Sequence, residues 1–479
     1  MNGRSLYDRA MEISLERELK LDLDDSFELP DLPGKPLESR VFTSTYYDTP
    51  ERSLARVGIT LRRRLENGVS RWQLKLPRDG AARAEIEALG GPAGPPVELA
   101  GLLAAHGRYG PLEQIATLRT RRSGVRVADG ERALADVTVD SVDILDGGRS
   151  AGAFAELEVE LVDGDESDLQ RLSRELRRAG AHRSDGRPKV LRLLELPPVR
   201  RLRRKSPASE QLRSLLEAQL RELERYDPGV RLGDDAEDLH RYRVATRRAR
   251  ALIRATRPLL HDRLDALETE LQWLGGLLGP VRDLDVLIEH LRAECAALEG
   301  DAPAGELLVD ALALERARQR AELLDGLSSE RFAQLLEQFD AAVTPLPDVA
   351  EKPSLQKIAA DESRTLKREA GRLPKTPTDD ELHGLRKRAK HARYAGELAA
   401  LDGGKAVDQY VQALKVLQDT IGEHQDAVVA EARIRGVARA KSAVAAGRLI
   451  EGERLRRRRA RAAYPSALAT ALARGKEAF

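Results

Sequence analysis

The feature that most constrains this chain is a set of charged stripes written at a spacing of two. Glu16, Glu18 and Lys20 alternate with Arg17 and Leu19. The device recurs at Arg62 and Arg64, at Arg71 with Lys75, at Arg83, Glu85 and Glu87, at Arg119 with Arg121, and at Glu156, Glu158 and Glu160. Side chains alternate across a pleated strand, so each set shares one face. A sheet face turned to a dry core is apolar, and repeated charged faces therefore mean either a solvated outer surface or an inward polar lumen. Close charges at reduced dielectric interact by on the order of several kcal/mol, so a lumen lined this way calls for counter-ions. A polyanion with bound metal supplies both signs.

The stripes belong to a region, from about Leu15 to Leu194, of short alternating runs such as Gly58–Leu65 and Ser70–Leu76, punctuated by Gly, Asp, Asn and Pro. That is the pattern of strands and turns. Pro197-Pro198, Arg203-Arg204-Lys205 and Ser206-Pro207 then form a stretch that cannot bury itself. Beyond it the chain turns to long segments rich in Ala, Leu, Arg and Glu at helical spacing, with breaks expected at Gly279-Pro280 and around Pro345 and Pro347. The expected architecture is an α+β multidomain protein, with a strand domain over 1–196, a linker over 197–208 and an all-α domain over 209–475. At 479 residues the chain exceeds the roughly 100–200 residues of one ordinary domain.

The helical half repeats itself. An offset of 143 residues separates His240 from His383, Gly279 from Gly422 and Asp283 from Asp426. A constant offset over about forty residues marks a duplication. Two similar bundles, about 209–345 and 352–475, packed about a pseudo-twofold are expected. On a helix His240, Arg243, Arg247 and Arg250 fall within roughly an 80° arc, as do His383, Arg386, Lys390 and Arg393. One such stripe is readily a solvated face paired with glutamates; two copies at one offset favour a dedicated surface. Arg248 adds to the first copy, and the run Arg454–Arg461 either extends the surface or is simply exposed. His424 and Asp426 read as hydrogen-bonding residues beside an interhelical turn rather than metal ligands.

Lys and Arg number 80 against 79 Asp and Glu, a formal net charge of +1, so no global field draws the chain to nucleic acid or membrane. Aromatic residues make up 4%, too few for the stacking platforms of single-strand binders, and sequence-specific nucleic-acid binding is not expected. The lone Cys295 excludes an internal disulfide. Asp8, Arg9 and Glu12 interrupt any apolar leader, and no segment reaches membrane-spanning length, so a cytoplasmic protein is expected.

Glu16-x-Glu18-x-Lys20, Tyr46-Tyr47-Asp48-Thr49-Pro50, Leu61-Arg62-Arg63-Arg64, Trp72-Gln73-Leu74-Lys75 and Glu156-Leu157-Glu158-Val159-Glu160 resemble, in order, the CYTH family of triphosphate tunnel metalloenzymes, over essentially 12–195. The resemblance implies a closed eight-stranded antiparallel tunnel and hydrolysis of inorganic triphosphate, thiamine triphosphate or RNA 5′ ends, or cyclisation of ATP. It implies Glu16, Glu18, Glu158 and Glu160 as ligands of Mg²⁺ or Mn²⁺. Lys20, Arg62, Arg64, Lys75, Arg83, Arg119, Arg121 and Lys189 would hold phosphate oxygens. Glu85 or Glu156 would orient the water, with Lys20 also in the catalytic set, and Asp136 would orient an arginine.

His240-x-x-Arg243-Val244-x-x-Arg247-Arg248-x-Arg250, with Arg393-Tyr394 in the second copy, resembles the CHAD family over about 207–470. That resemblance implies binding of inorganic polyphosphate through a basic surface shared by the two halves, at His240, Arg243, Arg247, Arg248, Arg250, His383, Arg386, Lys390 and Arg393. The combined expectation is a metal-dependent triphosphatase coupled to a polyphosphate-binding domain, with association to polyphosphate granules. The alternative is a non-catalytic polyphosphate receptor.

Overall fold

The computed structural model describes residues 11–24, 26–78, 82–194, 196, 208–260, 262–344, 355–400 and 404–479. Residues 197–207 of the expected linker and the break around Pro345 and Pro347 lie outside them. The chain divides into two compact units, Met1–Val199 with Glu224–Asp234, and Arg200–Leu223 with Asp235–Phe479. A stretch whose composition reads as part of the helical half thus counts with the strand unit.

The strand unit is built from β1 (Glu12–Asp22), β2 (Gly34–Asp48), β3 (Thr60–Glu66), β4 (Val69–Pro77), β5 (Ala82–Leu89), β6 (Glu113–Asp129), β7 (Arg132–Asp146) and β8 (Arg149–Leu161). Around the wall the order is β1-β5-β4-β3-β2-β6-β7-β8, every neighbour is antiparallel, and β8 returns to β1. The two-residue β9 (His182–Arg183) adds to β1. The expected closed eight-stranded antiparallel tunnel is present.

This barrel keeps its apolar residues outside. Leu61, Trp72, Leu74, Ala84 and Ile86 are fully buried against Leu54 of α1 (Ser53–Arg56) and against Leu99 and Leu102 of α2 (Val97–Leu102). Leu21, Val137, Leu157 and Val159 pack on Leu169, Leu172 and Leu176 of α3 (Glu166–Arg178). Each such side chain contributes about 1.5–3 kcal/mol. Because those outward positions are covered, the alternate positions of the same strands are free to carry charge inward. Asp165 caps α3 by accepting from the amides of Ser167 and Asp168, a contact of about 1 kcal/mol that fixes the helix over the sheet. One end of the lumen is plugged by Tyr46, Leu118, Val142, Val190 and Leu191.

The helical unit draws on α4 (Ala208–Leu232), α5 (Ala236–Leu260), α6 (Asp265–Ala296), α7 (Ala302–Leu327), α8 (Glu330–Val343), α9 (Leu355–Ala370), α10 (Asp379–Ala400), α11 (Lys405–Val437) and α12 (Ala443–Ala478). Under the 143-residue offset α5–α6 answers α10–α11, and α5 packs on α10. The expected breaks at Gly279-Pro280 and beside His424 do not occur: α6 runs through Pro280 and α11 through His424. Proline inside a helix costs about 3 kcal/mol, and burial of Leu278, Val281 and Leu284 around it offsets that cost. Among the described residues no helix is long and apolar enough to cross a membrane.

Candidate functional site

Inside the tunnel, Glu16, Glu18 and Lys20 of β1, Arg62 and Arg64 of β3, Lys75 of β4, Arg83 and Glu85 of β5, and Glu158 and Glu160 of β8 line a cavity of about 180 Å³. Lys189 reaches it from the short turn Lys189–Arg192, whose Val190 and Leu191 are anchored in the plug. Most of the predicted lumen set is therefore brought together by strand parity alone.

The charges fall into two tiers. In the first, Lys75 lies 2.5 Å from Glu16 and 3.5 Å from Glu85, and Arg62 lies 3.6 Å from Glu85. Glu160, directly across the ladder from Glu18, is pushed up to about 7 by burial and then by Glu16, Glu18 and Glu158, with Lys75 opposing. Burial and a hydrogen bond with Glu85 likewise raise Glu16. An all-oxygen donor set of this kind fits a hard divalent cation such as Mg²⁺ or Mn²⁺.

In the second tier, Asp140, Glu156 and Glu158 place ligand atoms within 4.8 Å of one another. Glu158 belongs to this trio and also lines the same cavity as Glu16, Glu18 and Glu160, so the predicted metal quartet shares one lumen. This trio is already matched by cations. Lys20 contacts Glu158 and lies 3.4 Å from Glu156, while Lys189 contacts Glu156 and stands 2.7 Å from Glu158 and 3.0 Å from Asp140. Arg122 grips Asp140 with both ends of its fork, at 2.7 and 2.6 Å, and also contacts Glu158. Burial opposes ionisation of Glu158, yet Lys189, Lys20 and Arg122 hold it well below the usual carboxylate range.

Several expectations change. Arg119 and Arg121 are exposed on the outer face, since Leu118 and Thr120 are buried and β6 turns its even-numbered residues inward. Arg122 takes the lumen place expected of them. Asp136 pairs at 2.7 Å with the exposed Arg126, and Asp140 is the carboxylate that orients a lumen arginine. Glu156 is 0% exposed and does not line the cavity; it meets the lumen through Lys20, Lys189 and Glu158 rather than directly. Gln73 and Tyr46 were also missed, and they brace Arg62 from Nε at 2.6 Å and Nη1 at 3.3 Å.

The helical unit holds a second charged cavity, of about 660 Å³. His240, Arg243, Arg247 and Arg250 of α5 meet His383, Arg386 and Lys390 of α10 there, joined by Arg282 and His290 of α6 and Arg456 of α12. Arg248 is exposed, one residue and about 100° off the stripe. Arg393 turns instead to Glu397 at 3.2 Å and stacks on Tyr394. Of the repeated glycines Gly422 is the sterically tight one: a Cβ there would stand 3.2 Å from the Arg386 guanidinium, whereas one on Gly279 would meet that of Arg243 at 3.9 Å, an ordinary contact. Asp283 holds Arg243 at 3.1 Å, and its repeat counterpart Asp426 lines the cavity near Arg386 rather than serving a turn. His424 is buried against Asp379 and Arg461, as a structural residue would be. Of the terminal arginine run only Arg456 lines the cavity, while Arg457 and Arg461 are spent on Asp379.

The imbalance here is cationic. Lys390 is pushed down to about 8 by burial and then by Arg386, Arg247, Arg243 and Arg393. Burial lowers Arg243, and burial together with nearby arginines lowers His240. Such a site gains from any bound polyanion.

Comparison with known proteins agrees with both geometries. The CYTH domain profile matches residues 14–191 and the CHAD domain profile matches 214–435. An uncharacterized protein of Mycobacterium tuberculosis strain H37Rv is 31% identical over 458 residues, spanning 87% of each chain. The chain belongs to the CYTH–CHAD family. Among solved structures the chain is similar to PptA from Streptomyces chartreusis, at 25% identity with a TM-score of 0.45, over 55% of this chain and 99% of that one. It is also similar to the CHAD domain of the plant Ricinus communis, at 25% identity and a TM-score of 0.45, over 58% of this chain and 95% of that one. The strand unit is accordingly the CYTH unit and the helical unit the CHAD unit.

Proposed function

We propose that the CYTH unit is a metal-dependent triphosphatase acting on inorganic triphosphate or a related triphosphate, and that the CHAD unit binds inorganic polyphosphate. The observation that carries the reading is the first tier of the tunnel, where Glu16, Glu18, Glu85 and Glu160 line one cavity with Arg62, Lys75 and Arg83, and burial first and then neighbouring carboxylates push Glu160 up to about 7. Lys20, Arg62, Arg64, Lys75, Arg83 and Arg122 grip phosphate oxygens, the guanidinium forks bidentately. Glu16, Glu18 and Glu160 would hold Mg²⁺ or Mn²⁺, which when bound supplies charge neutralisation at the transferred phosphoryl and a more acidic water. Glu85, kept ionised against its burial by its hydrogen bond with Glu16 and by Lys75 and Arg62, accepts a hydrogen bond from the attacking water and aims it. Asp140 and Glu156 position Arg122, Lys20 and Lys189 from behind the wall.

The test is phosphate release from tripolyphosphate with Mg²⁺ or Mn²⁺ by the full chain and by Glu18→Gln and Glu160→Gln. Metal-dependent release that both substitutions abolish upholds the reading. One observation favours a non-catalytic receptor: the lower tier is already neutralised by Lys20, Lys189 and Arg122. Absence of release from tripolyphosphate, thiamine triphosphate and ATP would decide for that receptor, and cyclic AMP as product would decide for a cyclase.

A further inference from the structure

The duplicated stripe of the CHAD unit is not quite symmetric. The 143-residue offset that equates His240 with His383 and Arg243 with Arg386 also equates Arg247 with Lys390. Both line the same cavity. Arg247 donates from Nε to the Tyr394 hydroxyl at 3.0 Å, which brings its guanidinium to the turn of α10 that follows Lys390. Arg386 and Arg393 flank Lys390 at one helical turn on either side, the spacing at which side chains of one helix face each other. Among the described residues neither Lys390 nor Arg386 forms an ion pair with a carboxylate. A guanidinium keeps its proton in such company; an ammonium does not.

From this arrangement we infer that Lys390 is a site of covalent acylation by small acyl phosphates. The cations that draw phosphate into the cavity hold the dianionic phosphate of the reagent, a far smaller charge than a polyphosphate chain, while the uncharged fraction of Lys390 attacks. The Nζ lone pair forms a bond to the acyl carbon, the bond from that carbon to the phosphate oxygen breaks, inorganic phosphate leaves with the electron pair, and the nitrogen gives up one proton to solvent. The product is a neutral amide in the middle of the cation cluster. Burial and the neighbouring arginines push Lys390 down to about 8, which raises its uncharged fraction near neutral pH, as for other lysines activated by cationic neighbours. Lys387, exposed on the same helix, does not line the cavity and has no recruited anion beside it.

The inference rests on the reading of this cavity as a phosphate-chain site, and the experiment separates the two. The full chain is incubated with acetyl phosphate at pH 7.5, and acetylation of Lys390 and Lys387 is followed by mass spectrometry, with and without long-chain polyphosphate. The expected result is that Lys390 is acetylated on the order of tenfold faster than Lys387, since the cavity holds the reagent beside Lys390 and not beside Lys387, and that polyphosphate slows Lys390 alone. Acetylation of Lys390 no faster than Lys387 overturns the inference, whatever polyphosphate does. Fast acetylation that polyphosphate leaves untouched upholds the reactive lysine and overturns the polyphosphate reading of the cavity. In a second measurement the parent loses polyphosphate affinity on acetylation, whereas Lys390→Arg, which cannot be acylated there, loses much less relative to its own untreated value. Equal losses in both proteins count against Lys390 as the responsible site.

Discussion

In the CYTH lumen cations touch carboxylates, whereas in the CHAD cavity cations mostly face one another. Lys75 has Glu16, Lys20 and Lys189 have Glu158, and Arg122 has Asp140. Lys390 instead has four arginines. An anion entering the lumen competes with acids already in place, and each acid it displaces is left with charge to compensate, a need that a divalent cation meets. Anion and metal are therefore expected to arrive together in the tunnel. The CHAD cavity carries its positive excess before any ligand arrives, so a polyanion is expected to bind there without metal. Similar residue types thus support two behaviours, and pairing rather than composition separates them.

The comparison is broken most forcefully at Arg122. Arg122→Ala leaves the unexposed Asp140 with Lys189 alone and is expected to cost about 1–3 kcal/mol of stability by denaturant unfolding, whereas Arg119→Ala on the outer face stays within about 0.5 kcal/mol. Equal effects would mean that β6 presents its other face inward. Next comes the metal corner: Glu160→Gln is expected to reduce triphosphate turnover at least about 100-fold while leaving metal-free polyphosphate binding unchanged. Gly422→Ala crowds Arg386 and is expected to weaken polyphosphate binding about tenfold, the worth of one charge-assisted contact, even as alanine raises helix stability by about 1 kcal/mol. Gly279→Ala, with more room, should do less.

The smallest effect is a proton count. Lys390 titrates at about 8 in the free protein, so at pH 9 it is mostly neutral, and a bound polyanion restores its charge. Calorimetry in buffers of different ionisation enthalpy should show uptake of about one proton on polyphosphate binding at pH 9 that Lys390→Arg does not show, with affinity falling as pH rises above about 8. Without ligand the sign for stability is opposite: between about 8 and the unfolded value near 10.5 the unfolded chain holds the extra proton, so unfolding becomes harder as pH rises.

Period-two stripes and the 143-residue offset made the tunnel and the duplicated bundle legible, because parity and repetition are local properties of a sequence. Parity fails where a run carries charge on both faces. Arg119, Arg121 and Arg122 offer arginine to either side, and the choice is made by Leu118 packing with Val142, Val190 and Leu191 in the plug. Asp136 and Asp140 share a face, and only the depth of the strand in the barrel decides that Asp140 is buried while Asp136 meets the exposed Arg126. The repeated glycines were visible as a repeat, but their use as berths for Arg243 and Arg386 depends on how neighbouring helices approach. Pro280 read as a break because local propensity is unaware of the burial around it.

The central claim is that metal serves the tunnel and not the helical cavity. The most direct measurement follows tripolyphosphate hydrolysis and long-chain polyphosphate binding by the full chain in parallel, first with Mg²⁺ and then in excess chelator. The account predicts that hydrolysis disappears in chelator while polyphosphate binding persists; loss of both together, or hydrolysis that survives without metal, would contradict it.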